Sequence, residues 1–227
     1  MDLQETMKTL ESLGTEQNRK IYKRHGAKEP FFGVSFANLG KLKKKIKADH
    51  ALAEALWATR NMDARVLALM VADPAQLSSM QAERWVRDVD YHMLNYYLPL
   101  VVARAPFGKQ KMEQWVASPD EYVRECGYNL MGALLKEGSS ISDAEARRFL
   151  ARIEKEIHGS PNRARYAMNN ALIGIGIYRP TLEKEAIAAA KRIGKVEVDH
   201  GETSCQTPDA IAYIQKVKKR QKVRRGC

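Results

Sequence analysis

The sequence has few cysteines and histidines and no long apolar run. Its three cysteines, Cys126, Cys205 and Cys227, are odd in number and far apart, which argues against a disulfide framework and for a reducing compartment. No apolar run approaches the roughly eighteen residues that a membrane helix needs, and the N-terminus lacks the apolar core of a signal peptide. We therefore expect a cytoplasmic protein that has no membrane partner.

The motifs of cofactor-dependent enzymes are missing as well. No two histidines are four residues apart and no Cys-x-x-Cys occurs, so we expect no metal and no cofactor. Gly174 and Gly176 lack a preceding strand and a third glycine, which argues against a dinucleotide loop and predicts close packing of two helices. Cys205 lies near Asp199 and His200, but no motif around it indicates a nucleophile.

Acidic residues are almost absent from two stretches, and these stretches carry the positive charge. Residues 19–47 contain ten lysines and arginines against one acid, Glu29, and residues 211–227 contain seven and no acid. The whole chain has a net charge of +11, so the remainder is acidic. A basic band on an otherwise acidic protein is typical of proteins that bind a polyanion, most often nucleic acid, although a solubilising surface with a basic tail gives the same pattern.

The chain is rich in apolar residues at three- and four-residue spacing, and alternating β-type runs are nearly absent. Segments with this spacing end at turns that contain glycine or proline, as α-helices do. Ser35 or Asn38 is expected to cap the third of these helices. The predicted helices cover residues 5–13, 16–24, 37–46, 51–57, 63–71, 91–104, 109–115, 120–136, 142–156, 163–177 and 182–193, with a further pair around residues 77–89 and a last short helix after residue 205.

Three of the helix pairs share a turn that is followed by an arginine. The turns, each with its arginine, are residues 57–59 with Arg65, residues 115–119 with Arg124, and residues 157–161 with Arg165. The last two turns lie 42 residues apart, which is the length of a two-helix repeat of the HEAT type, whereas 59 residues separate the first two arginines. The arginines either form a row on one side of the repeats or snorkel and pair with neighbouring acids.

These observations predict an all-α fold, a solenoid of irregular HEAT-like helical repeats with a concave basic face. We place a single repeat domain over residues 1–215 and a flexible basic tail over residues 216–227, and we expect a monomer. The polar loop from Asp199 to Cys205 is expected to cap the end of the solenoid.

One carboxylate has a half-apolar setting on a predicted helix. If a helix runs through residues 86–97, Asp90 lies among Val86, Met93, Leu94 and Tyr97. A carboxylate held in this way can stabilise a developing cation or orient a water molecule. A buried aspartate that pairs with an arginine of the adjacent helix pair explains the same pattern, and both interpretations stay open.

The chain resembles the AlkD-like DNA alkylation repair family, bacterial DNA glycosylases built from HEAT-like repeats. The strongest segments of the resemblance are residues 32–34 (FGV), 56–57 (LW), 63–65 (DAR), 89–90 (VD), 115–118 (WVAS), 165–169 (RYAMN) and 196–199 (VEVD). The resemblance implies that a concave face holds alkylated double-stranded DNA at the bacterial nucleoid. It also implies excision of cationic alkylated purines such as 3-methyladenine and 7-methylguanine.

The same resemblance implies roles for individual residues. Asp90 falls on the catalytic aspartate, which stabilises the oxocarbenium-like sugar and positions water, and Tyr22 falls on a tyrosine that contacts DNA. Two positions depart from the family pattern. The family's tryptophan four residues before the aspartate is Val86 here, and its arginine after the Trp-x-Ala-Ser turn falls on Glu125, one residue beyond Arg124. These departures concern excision more than they concern the fold or DNA binding.

The catalytic residues are therefore predicted to be Asp90 and Arg124. The predicted DNA contacts combine the basic band, the repeated arginines and the polar residues of the last repeat. They are Tyr22, Lys43, Lys44, Lys45, Arg65, Arg87, Arg163, Arg165, Asn169 and Arg179. Two further functions stay open, namely a non-catalytic protein that binds damaged or branched DNA, or RNA, and a protein-binding helical array.

Overall fold

A computed structural model describes residues 1–138 and 141–225, and the chain folds as two compact units. Unit 1 comprises Met1–Phe107 with Gly201–Ser204, and unit 2 comprises Gly108–His200 with the segment from Cys205 onward. Within these described ranges the secondary-structure elements are helices, and none of them is long and apolar enough to cross a membrane. The predicted all-α fold is thereby confirmed, while the single domain over residues 1–215, the concave face and the monomeric state stay predictions.

Seven helices form unit 1, and most of them begin at a side-chain cap. They are α1 (Leu3–Leu13), α2 (Glu16–Arg24), α3 (Phe36–Ile46), α4 (His50–Ala58), α5 (Met62–Val71), α6 (Ser79–Arg87) and α7 (Leu94–Val102). In α1 to α6 a Ser, Thr, Asp or Asn oxygen accepts a backbone N–H of the first turn. Ser35 is the cap of α3, one of the two predicted candidates.

A buried carboxylate fixes the connector between α2 and α3. Asp63, in the first turn of α5, accepts the backbone N–H groups of Phe32, Gly33 and Val34 at 2.7, 2.9 and 3.2 Å. Burial raises the pKa of Asp63, and these three hydrogen bonds act against that rise. Residues 32–34 and 63–65, two segments of the family resemblance, therefore hold each other in place.

In its described residues, unit 2 contains six α-helices and two short 3-10 turns, at Ile157–Gly159 and Pro180–Leu182. The helices are α8 (Gly108–Trp115), α9 (Glu121–Glu137), α10 (Asp143–Glu156), α11 (Asn162–Tyr178), α12 (Glu183–Ile193) and α13 (Ala210–Arg225). The last helix is longer than predicted and includes most of the segment assigned to a flexible tail. The flexibility of that segment stays a prediction, and Cys227 lies outside the described residues.

Gly176 allows three helices of unit 2 to approach closely. A Cβ atom at this position of α11 would lie 2.6 Å from Cδ1 of Ile214 on α13 and 3.3 Å from Cβ of Ala186 on α12. Both neighbours are fully buried. The close helix packing predicted from the two glycines is confirmed here, whereas Gly174 makes only an ordinary contact with Leu135, at 3.6 Å.

Candidate functional site

Asp90 lies in a loop rather than on a helix. α6 ends at Arg87 and α7 begins at Leu94, so the helix predicted through residues 86–97 is interrupted. The prediction that Asp90 shares a helical face with Val86 is therefore wrong. Asp90 is half-exposed, whereas Val86 is fully buried in the core of unit 1.

Two tryptophans and an arginine stack beside this loop. The rings of Trp85 and Trp57 are 4.8 Å apart and nearly parallel, and the Arg65 guanidinium lies 5.0 Å over the Trp57 ring. Nε1 of Trp57 donates to Oδ2 of Asp88 at 3.0 Å, and Nη1 of Arg65 donates to the Asp88 carbonyl at 3.2 Å. A continuing helix would use that carbonyl for its own hydrogen bond, so this contact favours the end of α6.

Arg65 is a buried cation between two carboxylates. It is only 8% exposed, and Nη2 lies 3.7 Å from Oδ2 of Asp88. Burial lowers the pKa of Arg65, while Asp88 and Asp90 act in the opposite direction. A guanidinium with these partners is not available to a phosphate. The structure thus gives Arg65 a role in holding the loop that carries Asp90, in place of the predicted DNA contact.

The three repeated arginines share one position and one kind of contact. Each is the fourth residue of its helix, in α5, α9 and α11. The contacts run from Arg65 Nε to the Trp57 carbonyl at 3.3 Å, from Arg124 Nε to the Ser118 carbonyl at 2.7 Å, and from Arg165 Nη2 to the Ser160 carbonyl at 2.9 Å. Each guanidinium therefore closes the turn before its own helix. The acceptors are backbone carbonyls rather than neighbouring acids, although Arg65 also lies 3.7 Å from Asp88. A row of these arginines on one side of the repeats stays a prediction.

The position where the family has an arginine after the Trp-x-Ala-Ser turn holds a buried acid in this chain. Arg124 is half-exposed, and its Nε is engaged by the Ser118 carbonyl. Glu125, which aligns with that arginine without a gap, is 3% exposed. Glu125 therefore cannot replace the arginine, because its side chain carries no positive charge and is not accessible to a DNA backbone.

Tyr22 is part of the core of unit 1. Its ring lies between Phe31 and Phe36, at centroid distances of 6.3 and 5.9 Å, and it is 7% exposed. Its hydroxyl donates to the Val34 carbonyl at 2.6 Å, and burial raises the pKa of Tyr22 to about 12. The ring packs against other aromatic side chains and the hydroxyl donates to a backbone carbonyl. Tyr22 is therefore not accessible for the predicted DNA contact.

The predicted lysines of α3 are exposed, as a DNA contact requires. Lys43, Lys44 and Lys45 lie in the last turns of the helix. Across residues 1–138 and 141–225, Lys43 and Lys44 have no ion-pair partner. Arg87 is exposed too, but Glu83 pairs with it at 2.8 Å. Lys43 and Lys44 are therefore the least engaged of the predicted cations in unit 1.

Protein groups engage two of the three other polar residues predicted in unit 2. Asn169 is 2% exposed and donates to the Pro208 carbonyl at 2.9 Å. Arg179 donates from Nε and Nη2 to the carbonyl of Ile141 at 3.2 and 2.7 Å. Both residues thus stabilise unit 2. Arg163 is half-exposed and stays a candidate contact.

The segment after α12 is tied to α11 by backbone carbonyls. Asn162 donates to the Asp199 carbonyl at 2.7 Å and accepts the Asp199 N–H at 2.8 Å, while Nη1 of Arg165 donates to the Glu197 carbonyl at 2.8 Å. Residues 165–169 and 196–199, again two segments of the resemblance, hold each other. Their polar groups serve this attachment.

A cleft of about 810 Å³ opens in unit 2 between this segment and α11. Its lining includes Asn169, Lys191, His200 and the exposed Cys205. Burial and the positive charge of Arg163 lower the pKa of His200, and Asp199 opposes this effect. In the described part of the chain, neither this cleft nor any other place gathers three His, Cys, Asp or Glu side chains that could hold a metal ion.

Two tyrosines at the start of α7 lie at the surface of unit 1, and the sequence predicts Tyr97 only as a neighbour of Asp90. Tyr96 is 58% exposed, and its ring stands perpendicular to that of Tyr97 at 5.0 Å. Tyr97 stacks on Phe36 of α3 at 6.3 Å. The sequence indicates an exposed ring here because the two tyrosines are adjacent. Neighbouring helical side chains point about 100° apart, so two bulky rings rarely both enter a core.

Known proteins and one family model match this chain over nearly its whole length. The profile of the family described as DNA alkylation repair enzyme matches residues 6–214. The uncharacterized protein Lin0241 of Listeria innocua is 30% identical over 93% of this chain and 95% of its own, and the uncharacterized protein Lmo0209 of Listeria monocytogenes is 29% identical over 94% and 96%.

A solved structure is similar as well. It is described as a new family of proteins related to the HEAT-like repeat DNA glycosylases with affinity for branched DNA structures. It is 34% identical, covers 97% of this chain and 95% of its own, and superposes with a TM-score of 0.88. The HEAT-like repeat fold predicted from the sequence is confirmed by this match.

Proposed function

This chain belongs to the DNA alkylation repair enzyme family, and on that premise we propose that it is a DNA-binding repair protein that recognises branched or otherwise interrupted duplexes. Support comes from the 34% identical relative, which is described as having affinity for branched DNA. We place the protein in the bacterial cytoplasm, where this substrate is found.

The exposed lysines of α3 carry the proposal. Lys43 and Lys44 are solvent-exposed and have no ion-pair partner in the described ranges, so a phosphate would not have to displace an acid. The charge near them is one-sided, because residues 19–47 hold ten basic residues and one acid. Phosphate contacts of this kind position DNA and release its counterions, which gives affinity without sequence specificity.

The test is the double variant Lys43→Ala/Lys44→Ala, measured by fluorescence anisotropy on a three-way junction over a range of salt concentrations. We expect about tenfold weaker binding at low salt and a salt slope that is smaller by about 1.8, because each lost phosphate contact removes roughly 0.9. The matched control is Lys155→Ala/Lys184→Ala, two exposed lysines of unit 2. Equal losses in both double variants would show that binding follows net charge alone and would refute the assigned surface.

Excision of alkylated purines is the second candidate function, and Asp90 favours it. Its carboxylate is half-exposed beside the buried Arg65. In such a reaction water adds to C1′ of the sugar while the bond to the purine breaks, and a nearby carboxylate stabilises the positive charge that develops. Two observations weigh against excision, since Val86 and Glu125, at positions where the family has a tryptophan and an arginine, are both buried.

Release of 7-methylguanine from a methylated duplex separates the two candidates. If Asp90 acts as the stabilising carboxylate, Asp90→Asn lowers the rate at least about a hundredfold while DNA affinity changes little. Release at the same rate by the wild type and by this variant would remove Asp90 from the mechanism. Tight binding of branched DNA with no release by the wild type would leave the non-catalytic function standing alone.

A further inference from the structure

A series of aromatic rings leads from the core of unit 1 to its surface. The ring of Tyr22, 7% exposed, lies 5.9 Å from that of Phe36, which stacks on Tyr97 at 6.3 Å with an interplanar angle of 23°. Tyr97 contacts Tyr96 at 5.0 Å, and Tyr96 is 58% exposed. A single exposed aromatic residue is ordinary on a protein surface. Here each ring contacts the next, so the outer pair is supported from the core.

The exposed end of this series offers both a ring face and a ring edge. Tyr96 stands perpendicular to Tyr97 and is 58% exposed, so a flat group can lie against the Tyr96 ring. Leu100, one turn further along α7, is 39% exposed and extends the apolar surface. Burial and the neighbouring Tyr96 raise the pKa of Tyr97, so its hydroxyl stays neutral at physiological pH.

A basic helix adjoins the aromatic pair. Phe36, Gly40 and Lys43 are spaced i, i+4 and i+7 on α3 and therefore share one side of it. At 1.5 Å per residue, Lys43 lies about 10 Å along the axis from Phe36. Gly40 has no side chain, and apart from its chain neighbours and the nearby backbone of α3 no atom lies within 4 Å of the place its Cβ would take, so the surface between Phe36 and Lys43 is open there. Along this side of α3, the aromatic Phe36, the open position at Gly40 and the unpaired Lys43 therefore follow one another.

From this arrangement we infer that Tyr96 and Tyr97 form a stacking site for an unpaired nucleobase, whose backbone runs over Gly40 to Lys43. An aromatic ring can stack only on a base face that has lost its neighbour, which duplex DNA does not offer but a flap, gap or branch point does. Lys43 supplies the phosphate contact beside the base. This inference rests on the proposed DNA binding and names the structural feature that would be recognised.

The experiment compares a 5′-flap DNA with the same sequence as an intact duplex, with 2-aminopurine in the unpaired arm. Tyr96→Ala is expected to weaken flap binding roughly five- to a hundredfold, the usual effect of losing one base–aromatic stack. Binding of the duplex should stay within about twofold. Tyr96→Trp keeps a ring and should retain flap affinity, and the 2-aminopurine fluorescence should be quenched by the wild type and by Tyr96→Trp but not by Tyr96→Ala.

Two further variants test the path and the specificity. Gly40→Gln adds bulk without charge at a bare helical position and should weaken flap binding, whereas Met80→Ala, which removes another exposed apolar side chain, should not. Tyr96 is exposed, so its replacement leaves the core intact. Equal loss for flap and duplex, or no loss and no change in quenching, would overturn the stacking site while leaving DNA binding in place. A wild type that binds neither DNA would instead refute the proposed function.

Discussion

Lys47, at the end of α3, holds a backbone conformation that side chains rarely adopt. Its φ of 66° and ψ of −147° fall in a region that is occupied almost only by glycine. Its N–H donates to the Lys43 carbonyl at 2.8 Å, which closes the last turn of the helix. A lysine in this conformation costs about 1–3 kcal/mol, and the exposed side chain extends the basic surface of α3.

We expect Lys47→Gly to raise the free energy of unfolding by about 1 kcal/mol, because relief of the strained conformation exceeds the added entropy of glycine in the unfolded chain. Lys47→Ala removes the same charge and keeps the strain, so its stability should match the wild type within about 0.5 kcal/mol. Urea unfolding midpoints compare the three proteins. If the glycine variant is no more stable than the alanine variant, the conformation is not strained.

At the scale of single residues, the sequence shows which side chains can form strong hydrogen bonds, but it does not show which groups they bind. Arg65, Arg124 and Arg165 stand out as arginines that follow similar turns, which suggests a site. In the structure each donates to a backbone carbonyl of the turn before its own helix. Local sequence cannot distinguish a guanidinium that waits for a phosphate from one that binds a carbonyl, because both uses need the same residue.

At the scale of elements, α10 begins with a capping box that an ion pair reinforces. Ser142 and Glu145 exchange hydrogen bonds with each other's backbone N–H groups, and Nζ of Lys109 lies 2.6 Å from Oε1 of Glu145. Hydrogen bonds from Lys109 first, and then from Ser142, lower the pKa of Glu145 to about 2. The helix start therefore depends on an ionised carboxylate.

Because the folded pKa of Glu145 lies below its ordinary value of 4.5, its contribution is complete above that value and is lost as pH falls toward about 2. We expect Glu145→Gln to cost about 1 kcal/mol at pH 7, since solvent screens the partly exposed pair, and to cost almost nothing near pH 2. Thermal unfolding across this range measures the difference. Glu113→Gln, at an exposed position on α8, is the control and should cost less than about 0.5 kcal/mol throughout.

Helix boundaries were predictable where caps and periodicity agree, and they were not where tertiary contacts decide. α2 runs from Glu16 to Arg24, as its cap at Thr15 and the break at Gly14 indicate. α7 instead begins at Leu94 without a side-chain cap, because the chain before it is held by Arg65 and the Trp57 stack. The loop that carries Asp90 is thus a product of long-range contacts that periodicity does not encode.

The length of α13 has a similar cause. Its sequence is basic and without acids, which is typical of a frayed tail. In the structure, Ile214 is fully buried against Gly176, and Nζ of Lys218 lies 3.5 Å from Oε2 of Glu183. A buried contact with α11 and an ion pair with α12 therefore stabilise α13, although its own composition does not favour a packed helix.

At the scale of the whole molecule, fewer cations are open to direct contact with a ligand than the 38 lysines and arginines of the sequence would allow. Protein acceptors engage several of the cations that suggested nucleic-acid binding, namely Arg65, Arg87, Arg124, Arg165 and Arg179. The accessible excess lies in exposed lysines such as those of α3. The segments that carry the family resemblance thus make polar contacts within the protein, such as those of Asp63 and Arg165, while the proposed binding depends on lysines outside those segments.

The arginines at the fourth helical position have a consequence for how such chains can change in length. Each arginine donates to a carbonyl only eight, six or five residues earlier. We call this hydrogen bond a closure, and each closure lies within one helix pair. The intervals between them, 59 residues from Arg65 to Arg124 and 41 from Arg124 to Arg165, are free to differ. Duplication or deletion of a helix pair between two closures leaves both intact, whereas a breakpoint inside one separates an arginine from its carbonyl. Family members should therefore vary in repeat number at those intervals and keep the closures themselves whole.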